Sequence, residues 1–199
     1  MTYYTYDFYK YIAPDVPMVP LPTVEDTVAD VIIDFCQKTS IYRQWLEDYI
    51  AVSQDDEEVE LDLPNSTAVV EILAIQEVED IGDYGDFRNL DDFMFTNQAD
   101  TPMLLLNDPA EKDYEARVRV ALRPTIGFTE VPDFIYEDWR DVIASGAKHR
   151  LLAMRGKPWY APRDAEGHRM DYRRGVQRAS SRVVLETINK VNKPTSRYI

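Results

Sequence analysis

Apolar residues recur with two different periods along the chain, and the changes of period divide it into three parts. Between residues 23 and 50 they fall three and four positions apart, as on one face of an amphipathic helix. Between residues 51 and 125 they alternate with polar residues, as in half-buried strands. Helical spacing returns at Pro132 and continues to about residue 192. The pattern predicts an α+β fold, with an α-helical bundle built from both chain ends and an inserted antiparallel β domain that is a sandwich or a small barrel.

Residues 23–50 are predicted to form the first part of the bundle. Thr23 is a suitable N-cap for a helix. One face of that helix carries Val24, Val28, Val31, Ile32, Phe35 and Cys36. A second, short helical segment is predicted over residues 41–49. We expect Phe35 on the first segment and Trp45 on the second to pack inside the bundle.

The middle of the chain, residues 51–125, is predicted to be the β domain. Alternating or β-rich runs mark about five strands, at residues 51–54, 59–63, 68–78, 103–107 and 114–122. Residues 79–102 have no clean period and contain several aspartates and two glycines. We therefore predict a long acidic surface loop there, and loops of this length in compact domains are usually functional.

Residues 126–192 are predicted to complete the bundle with two helices. The first ends near a Gly-Lys-Pro turn, and the second runs from Pro162 to about Asn192. Pro194 then leaves a short C-terminal tail, residues 193–199. We expect the following residues to pack in the bundle or to form the corner between its last two helices: Gly146, Ala147, Leu151, Pro158 and Trp159.

The first 22 residues are rich in tyrosine and proline. Five tyrosines precede Pro14, and further prolines follow at positions 17, 20 and 22. Because proline at this density disfavours a helix, we predict an extended arm over residues 1–22. The tyrosines require a surface to lie on, which either the same subunit or a neighbouring subunit can supply.

Charge is distributed unevenly along the chain. Residues 1–141 contain 9 Lys and Arg against 32 Asp and Glu, a net charge of −23. Residues 142–199 contain 13 against 4, a net charge of +9. The whole-chain charge of −14 repels free nucleic acid. An asymmetry of this size predicts surfaces that face different partners, as in a component of an assembly.

No arrangement of residues in the sequence predicts catalysis or a metal site. His149 and His168 lack a third ligand of zinc type, and the acidic run at residues 55–62 lacks the spacing of a calcium loop. Neither a glycine-rich phosphate loop nor a serine elbow is present in the sequence. We therefore expect no enzyme activity, no metal and no cofactor.

The sequence also limits the cellular compartments that fit the protein. The single cysteine, Cys36, excludes an intramolecular disulfide and fits a reducing environment. The longest apolar runs are too short to cross a bilayer, and the first residues lack the basic and apolar regions of a secretion signal. We therefore expect no contact with a membrane.

The last predicted helix is basic, and two interpretations of its arginines remain open. They can bind nucleic acid phosphates, or they can pair with the acidic N-terminal part of the same or the next subunit. The second interpretation is favoured because the acids outnumber the arginines and compete with DNA for them. We therefore predict an intersubunit basic face made of Arg169, Arg173, Arg174, Arg178 and Arg182.

Two segments resemble a known family. Residues 28–46, VADVIIDFCQKTSIYRQWL, form an amphipathic helix that leads into a spacing like F-C-x-x-[ST]-x-x-[WY]-x-x-x-L. Residues 143–159, IASGAKHRLLAMRGKPW, form a helix with a G-A-K-x-R-L-L pattern that ends at G-K-P-W. In this order and at this separation, the two segments are similar to the head-to-tail adaptor (connector) proteins of tailed bacteriophages.

The resemblance implies a structural virion protein made in the host bacterial cytoplasm and located at the head–tail junction. Members of the family form twelve-subunit rings that join the portal protein to a tail tube, nozzle or other tail protein, and duplex DNA passes through the ring without sequence recognition. Their C-terminal segments reach into the portal, which assigns portal binding here to Lys190, Lys193, Arg197, Tyr198 and Ile199.

Three other functions remain open from the sequence. A tail terminator or completion protein also forms rings, often with six copies. A small acidic hydrolase of the cell wall requires paired carboxylates, which any chain with 36 acidic residues can offer. An acidic module that mimics DNA binds a DNA-processing protein as a monomer.

Overall fold

The structure, a computed structural model, describes residues 2–46, 48–61, 70–81, 87–90, 93–98 and 101–191. The chain divides into two compact units. The helical unit comprises Met1–Ile41 and Pro124–Ile199, and the β unit comprises Tyr42–Arg123. Helices and antiparallel sheets together confirm the predicted α+β class. The β unit begins at Tyr42, whereas the alternating pattern predicted a start at residue 51.

The N-terminal residues fold onto the helical unit and do not form the extended arm predicted for residues 1–22. They contain strand β1 (Tyr3–Tyr4), a 3-10 helix (Thr5–Phe8) and the short helix α1 (Tyr9–Ile12). Phe8, Ile12 and Val16 are fully buried. The prediction is wrong because every proline of this segment lies after α1, so no residue before Pro14 excludes a helix.

Two of the N-terminal tyrosines, Tyr3 and Tyr11, pack against Tyr136 of the same chain. Tyr3 stacks on Tyr136, with ring centroids 3.9 Å apart. Strand β1 pairs antiparallel with a second two-residue strand, Glu130–Val131. The Asp7 carboxylate accepts a hydrogen bond of 2.9 Å from the Tyr4 backbone N–H, which holds the start of the 3-10 helix. The same subunit therefore supplies the surface that Tyr3 requires.

Three long helices form most of the described helical unit: α2 (Leu21–Thr39), α3 (Asp133–Leu152) and α4 (Pro162–Val191). Pro22 lies in the first turn of α2, where a missing N–H costs no helical hydrogen bond, so the helix begins before Thr23. Ser40 ends α2 in a left-handed conformation, with φ of 49°. At 30 residues against 20, α4 is much longer than α3.

The three long helices share one core. Phe35 of α2 is fully buried, and its ring centroid lies 5.4 Å from that of Trp139 on α3. Ala147 and Leu151 of α3 are fully buried as well. Full burial of a Phe side chain contributes roughly 2 to 3 kcal/mol. Phe35, Ala147 and Leu151 therefore lie in the helical core, where the sequence placed them.

Two glycines allow the helices to approach closely. A Cβ atom on Gly146 would lie 2.7 Å from Val31 Cγ1 and 2.8 Å from Tyr172 Cδ2, so α2, α3 and α4 meet at this residue. A Cβ atom on Gly175 of α4 would lie 2.3 Å from Cγ1 of Val142 on α3. Glycine at these two positions is explained by packing, which offsets its cost of about 1 kcal/mol in a helix interior.

The corner between α3 and α4 lies where the sequence predicted it. Gly156 has φ of 76°, a left-handed conformation that favours glycine. The Ala161 N–H donates to the Leu152 carbonyl at 3.0 Å and closes the connection. Pro158 is exposed and Trp159 is half-buried, with the Lys157 ammonium 6.0 Å from the Trp159 ring centroid.

The described part of the β unit contains eight strands, more than the five predicted. They are β2 (Arg43–Trp45), β3 (Ile50–Val52), β4 (Glu58–Glu60), β5 (Val70–Ile81), β6 (Phe87–Leu90), β7 (Phe93–Gln98), β8 (Thr101–Leu106) and β9 (Tyr114–Pro124). One sheet has the order β2-β9-β5-β6, with β3 also paired to β9, and the other has the order β4-β8-β7. The two sheets share a core that includes Val59, Ile72, Leu104 and Val118.

Strands occupy much of the segment 79–102, which was predicted to be a loop. β5 continues to Ile81, β6 and β7 follow, and β8 begins at Thr101, while residues 82–86, 91–92 and 99–100 lie outside the described residues. The prediction of a loop is wrong because the strands β6 and β7 are too short to show a clear period in the sequence. Pairing of β7 with β8 and of β6 with β5 supplies the hydrogen bonds, and a single-sequence period does not reveal such pairing.

Trp45 lies in the β unit and not in the helical core. Residues 43–45 form β2, in which Trp45 pairs with Arg119 of β9. The Trp45 ring lies 4.1 Å from the guanidinium carbon of Arg117, a cation–π contact on the face of the sheet. The helical prediction for residues 41–49 is wrong because Ser40 has already ended α2 and the aromatic residues pair with a distant strand.

Candidate interaction surfaces

The excess of acidic residues belongs to the β unit. Residues 42–123 contain 6 Lys and Arg against 21 Asp and Glu, a net charge of −15. The remaining residues, which form the helical unit, contain 16 against 15, a net charge of +1. The uneven charge seen along the chain is thus mainly a difference between two folded units.

One end of the β unit is strongly acidic. The loop after β3 and the loop before β9 are joined by backbone hydrogen bonds, from Asp55 N–H to the Ala110 carbonyl at 2.8 Å and from Ala110 N–H to the Asp56 carbonyl at 3.1 Å. The Gln54 N–H donates to the Asp113 carboxylate at 2.7 Å. These loops and the adjoining strands expose eight acids: Asp55, Glu57, Glu58, Glu60, Asp108, Glu111, Asp113 and Glu115. We call this surface the acidic end.

Three arginines of the β unit are already paired. Arg117, Arg119 and Arg123 project from β9 and form ion pairs with Glu79, Glu77 and Glu71 of β5, at 2.5, 3.6 and 2.8 Å. These cross-strand pairs engage the three arginines of β9 with glutamates of β5. The arginines therefore do not pair with the carboxylates of the acidic end. The acidic end therefore keeps its negative potential.

The structure places the five arginines of the predicted basic face on α4 and divides them into two groups. Arg169 is held by Glu166 of its own helix through hydrogen bonds of 2.8 and 2.6 Å, and this contact holds the pKa of Glu166 below its usual value. Arg182 donates to Asp138 of α3 at 2.9 Å and to Glu186 at 3.3 Å. Arg169 and Arg182 are thus paired within one chain.

The other three arginines make weaker contacts or none among the described residues. Arg174 lies 3.4 Å from Asp171, with both side chains well exposed. Arg178 is exposed, and its guanidinium carbon lies 5.5 Å from the Trp139 ring centroid. Arg173 is exposed and has no ion pair within the described part of the chain. Of the five arginines of the predicted basic face, these three are the ones best placed to meet another molecule.

A cationic groove lies between α2, α3 and α4. Its volume is about 480 Å³, and its lining includes Lys38, Arg150 and Arg173 around Asp34. Asp34 accepts hydrogen bonds from the Tyr172 hydroxyl and the Lys38 ammonium, both at 2.8 Å, and lies 3.6 Å from Arg150. Burial and this hydrogen bond raise the pKa of Tyr172. The arrangement ties the three helices together through the Asp34 carboxylate.

A second groove lies on the other flank of α2. Its volume is about 500 Å³, and α2 contributes Glu25, Asp26, Ala29, Asp30 and Ile33 to its wall. Tyr4, Tyr6, Ile126 and Phe128 line it from the N-terminal segment and from the chain before α3. Neither Glu25 nor Asp26 has an ion pair within the described residues. We call this site the acidic groove.

The sequence prediction missed the acidic groove, although a signal for it was present. Ile33 and Ala29 lie one turn apart on α2, outside the face that carries Phe35 and the other core residues. Ile126 follows a strand and is 92% exposed, which is unusual for such an apolar side chain. Apolar residues outside the core face indicate a second contact surface of the helix.

An exposed apolar row lies near the C-terminal end of α4. Val184, Leu185 and Ile188 are 55%, 58% and 48% exposed. Leu185 and Ile188 are three positions apart and Val184 and Ile188 four, so the three share one side of the helix. Ala179, on the opposite side, is fully buried. We call the side of α4 that carries Arg174, Arg178 and the apolar row the α4 ridge.

The predicted portal-binding residues lie mostly outside the part of the chain that the structure describes. Lys190 lies in the last turn of α4, and the backbone alone is described there. Lys193, Arg197, Tyr198 and Ile199 lie outside the described residues. Portal binding by this tail remains a prediction.

Two kinds of site are not found within the described residues. No three His, Cys, Asp or Glu side chains there form a group able to hold a metal ion. Among the helices that the structure describes, none combines the length and the apolar character needed to cross a membrane.

Comparison of the sequence with models of known protein families and with curated proteins found no match.

Proposed function

We propose that the chain is a structural virion protein, the head-to-tail adaptor of a tailed bacteriophage. Twelve copies form a ring that joins the portal to a tail protein and extends the channel through which the genome is packaged, retained and ejected. The protein carries out no catalysis. It acts through the shape of the ring and the charge of the channel wall. The proposal starts from the resemblance of residues 28–46 and 143–159 to this family.

The observation that carries the proposal is the C-terminal half of α4. The helix pairs antiparallel with α3, since Gly175 faces Val142 and Arg182 faces Asp138 near the start of α3. At 30 residues against 20, α4 is the longer helix, and its exposed apolar row lies about level with the start of α3. An exposed apolar row on a long helix is typical of a surface that packs against another protein in an assembly.

The charge of the β unit fits a wall around DNA. Its net charge of −15 and the eight exposed carboxylates of the acidic end oppose adsorption of duplex phosphates. A duplex that does not adsorb to the wall can slide through the channel during packaging and ejection. We propose that the acidic end faces the DNA or the tail.

Removal of residues 192–199 tests the portal contact. We expect the shortened chain to lose binding to the purified portal ring by at least about tenfold, because the segment carries Lys193, Arg197 and the Tyr-Ile terminus. Co-sedimentation with portal rings measures the binding. Circular dichroism checks that the shortened chain keeps the helical signal of the unaltered chain.

A matched control replaces the same number of charges at the acidic end. A variant with Glu58→Gln and Glu60→Gln should bind the portal as the unaltered chain does, since it keeps all of residues 192–199. Equal portal binding by the shortened chain and the unaltered chain would contradict the proposed role of the tail.

A further inference from the structure

The acidic groove and the α4 ridge have complementary shapes. The groove is a concavity of about 500 Å³ beside α2, and the ridge is the convex outer side of a helix. An amphipathic helix laid into an apolar groove is a common recognition mode in proteins. A groove that is partly apolar and partly acidic fits a helix that carries both apolar residues and cations.

The charges of the two surfaces are also complementary. Glu25 and Asp26 line the groove and have no ion pair within the described residues, and Asp30 has only Arg150 at 3.9 Å. On the ridge, Arg174 and Arg178 are exposed and weakly held. Unpaired acids on one surface and loosely held cations on another favour an encounter between the two.

A charged residue and an apolar residue follow each other in the same order and at the same spacing on α2 and on α4. On α2, Asp26 precedes Ile33 by seven residues, or about 10 Å along the helix axis. On α4, Arg178 precedes Leu185 by the same seven residues. A parallel arrangement of the two helices therefore places Arg178 over Asp26 when Leu185 lies over Ile33.

We propose that the α4 ridge of one copy binds in the acidic groove of the next copy. This inference rests on the proposed function, since it supplies the contact between neighbours in the ring. The occupant of the groove is a second copy of this chain, which carries both halves of the contact. A contact between two different surfaces repeats from copy to copy and closes a ring when its rotation permits.

Within the helical unit, the two surfaces do not compete for the same residues. The groove uses one flank of α2 and the residues before α3, whereas the ridge lies on the outer side of α4, opposite the buried Ala179. Each copy can therefore bind one neighbour through its groove and another through its ridge. Neither surface includes a residue of the predicted portal-binding tail.

Cross-linking between singly substituted chains tests the contact. One preparation carries Ile126→Cys in the groove, and another carries Leu185→Cys on the ridge, both at exposed positions. The native Cys36 is fully buried, and burial raises the pKa of its thiol to about 12, so it does not react. We expect a short bismaleimide to link the mixed chains into a dimer, both for the free chain at high concentration and for chains assembled on the portal.

A matched control uses Met18, which is exposed in the helical unit but lies in neither surface. Chains with Met18→Cys should not link to chains with Ile126→Cys. Charge reversal gives a second test that does not depend on a thiol. Glu25→Lys with Asp26→Lys should lower the linked fraction by about tenfold, and addition of Arg174→Glu with Arg178→Glu should restore it.

The outcomes separate this inference from the proposed function. Twelve-copy rings on the portal without the link between positions 126 and 185 would overturn the inference and leave the function standing. The link in the free chain without any portal complex would support the contact and overturn the function. A link from position 126 to the portal protein, in place of a second copy, would also overturn the inference.

Discussion

Replacement of Phe35 by alanine is expected to lower the free energy of unfolding of the helical unit by about 3 to 5 kcal/mol. The Phe35 side chain is fully buried and packs against Trp139, so its removal loses transfer free energy and leaves a cavity between α2 and α3. Urea unfolding followed by the helical circular dichroism signal measures the loss.

A suitable control for Phe35→Ala is Leu21→Ala in the same helix. Leu21 is 42% exposed in the first turn of α2, so its truncation should cost less than about 1 kcal/mol. An equal effect of the two substitutions would show that α2 does not pack through Phe35, and would contradict the arrangement of the three long helices.

Replacement of Gly175 by alanine is expected to destabilise the protein by about 1 to 3 kcal/mol, although alanine is the better helix former. The added Cβ atom would lie 2.3 Å from Cγ1 of Val142, and a β-branched side chain between two helices has little freedom to move away. Either α3 and α4 separate or Val142 adopts a poor rotamer. The midpoint of thermal unfolding measures the effect.

Gly167→Ala is the matched control, since it makes the same chemical change in the same helix. A Cβ atom on Gly167 would have no neighbour within 4 Å. The gain in helix propensity should therefore stabilise the protein by up to about 1 kcal/mol. Opposite signs at positions 175 and 167 are expected, and a stabilising effect at both would contradict the close approach of α3 and α4.

The long helices were predictable because their apolar periods extend over many residues. α2 and α4 lie within two residues of their predicted bounds, and the glycine at position 146 was correctly linked to close packing. The segment around Trp45 was not predictable. Its aromatic spacing fits a helix equally well, and pairing with β9, more than 70 residues away, determines its conformation.

The surfaces were less predictable than the core. Pairs such as Arg169 with Glu166 and Arg182 with Glu186 follow from helical spacing alone. The pair between Arg182 and Asp138 requires the antiparallel register of α3 and α4, which a single sequence does not supply. The acidic groove likewise joins α2 to residues about 100 positions away, so only the fold brings Ile33 and Ile126 together.

The domain boundary changes the interpretation of charge most clearly. Counted along the chain, the acidic part includes the first helix. Counted by folded unit, the β unit carries −15 and the helical unit +1. The repulsion of DNA in the proposed function therefore concerns the β unit, and the charge pairs of the proposed contact between copies concern α2 and α4.

The most direct test of the proposed function is electron microscopy of the purified chain mixed with the portal ring of the same phage. The account predicts a ring of twelve copies seated on one face of the portal, with the central channel continuous through both rings. A chain that does not bind the portal, or a six-copy ring that binds only the tail, would contradict it.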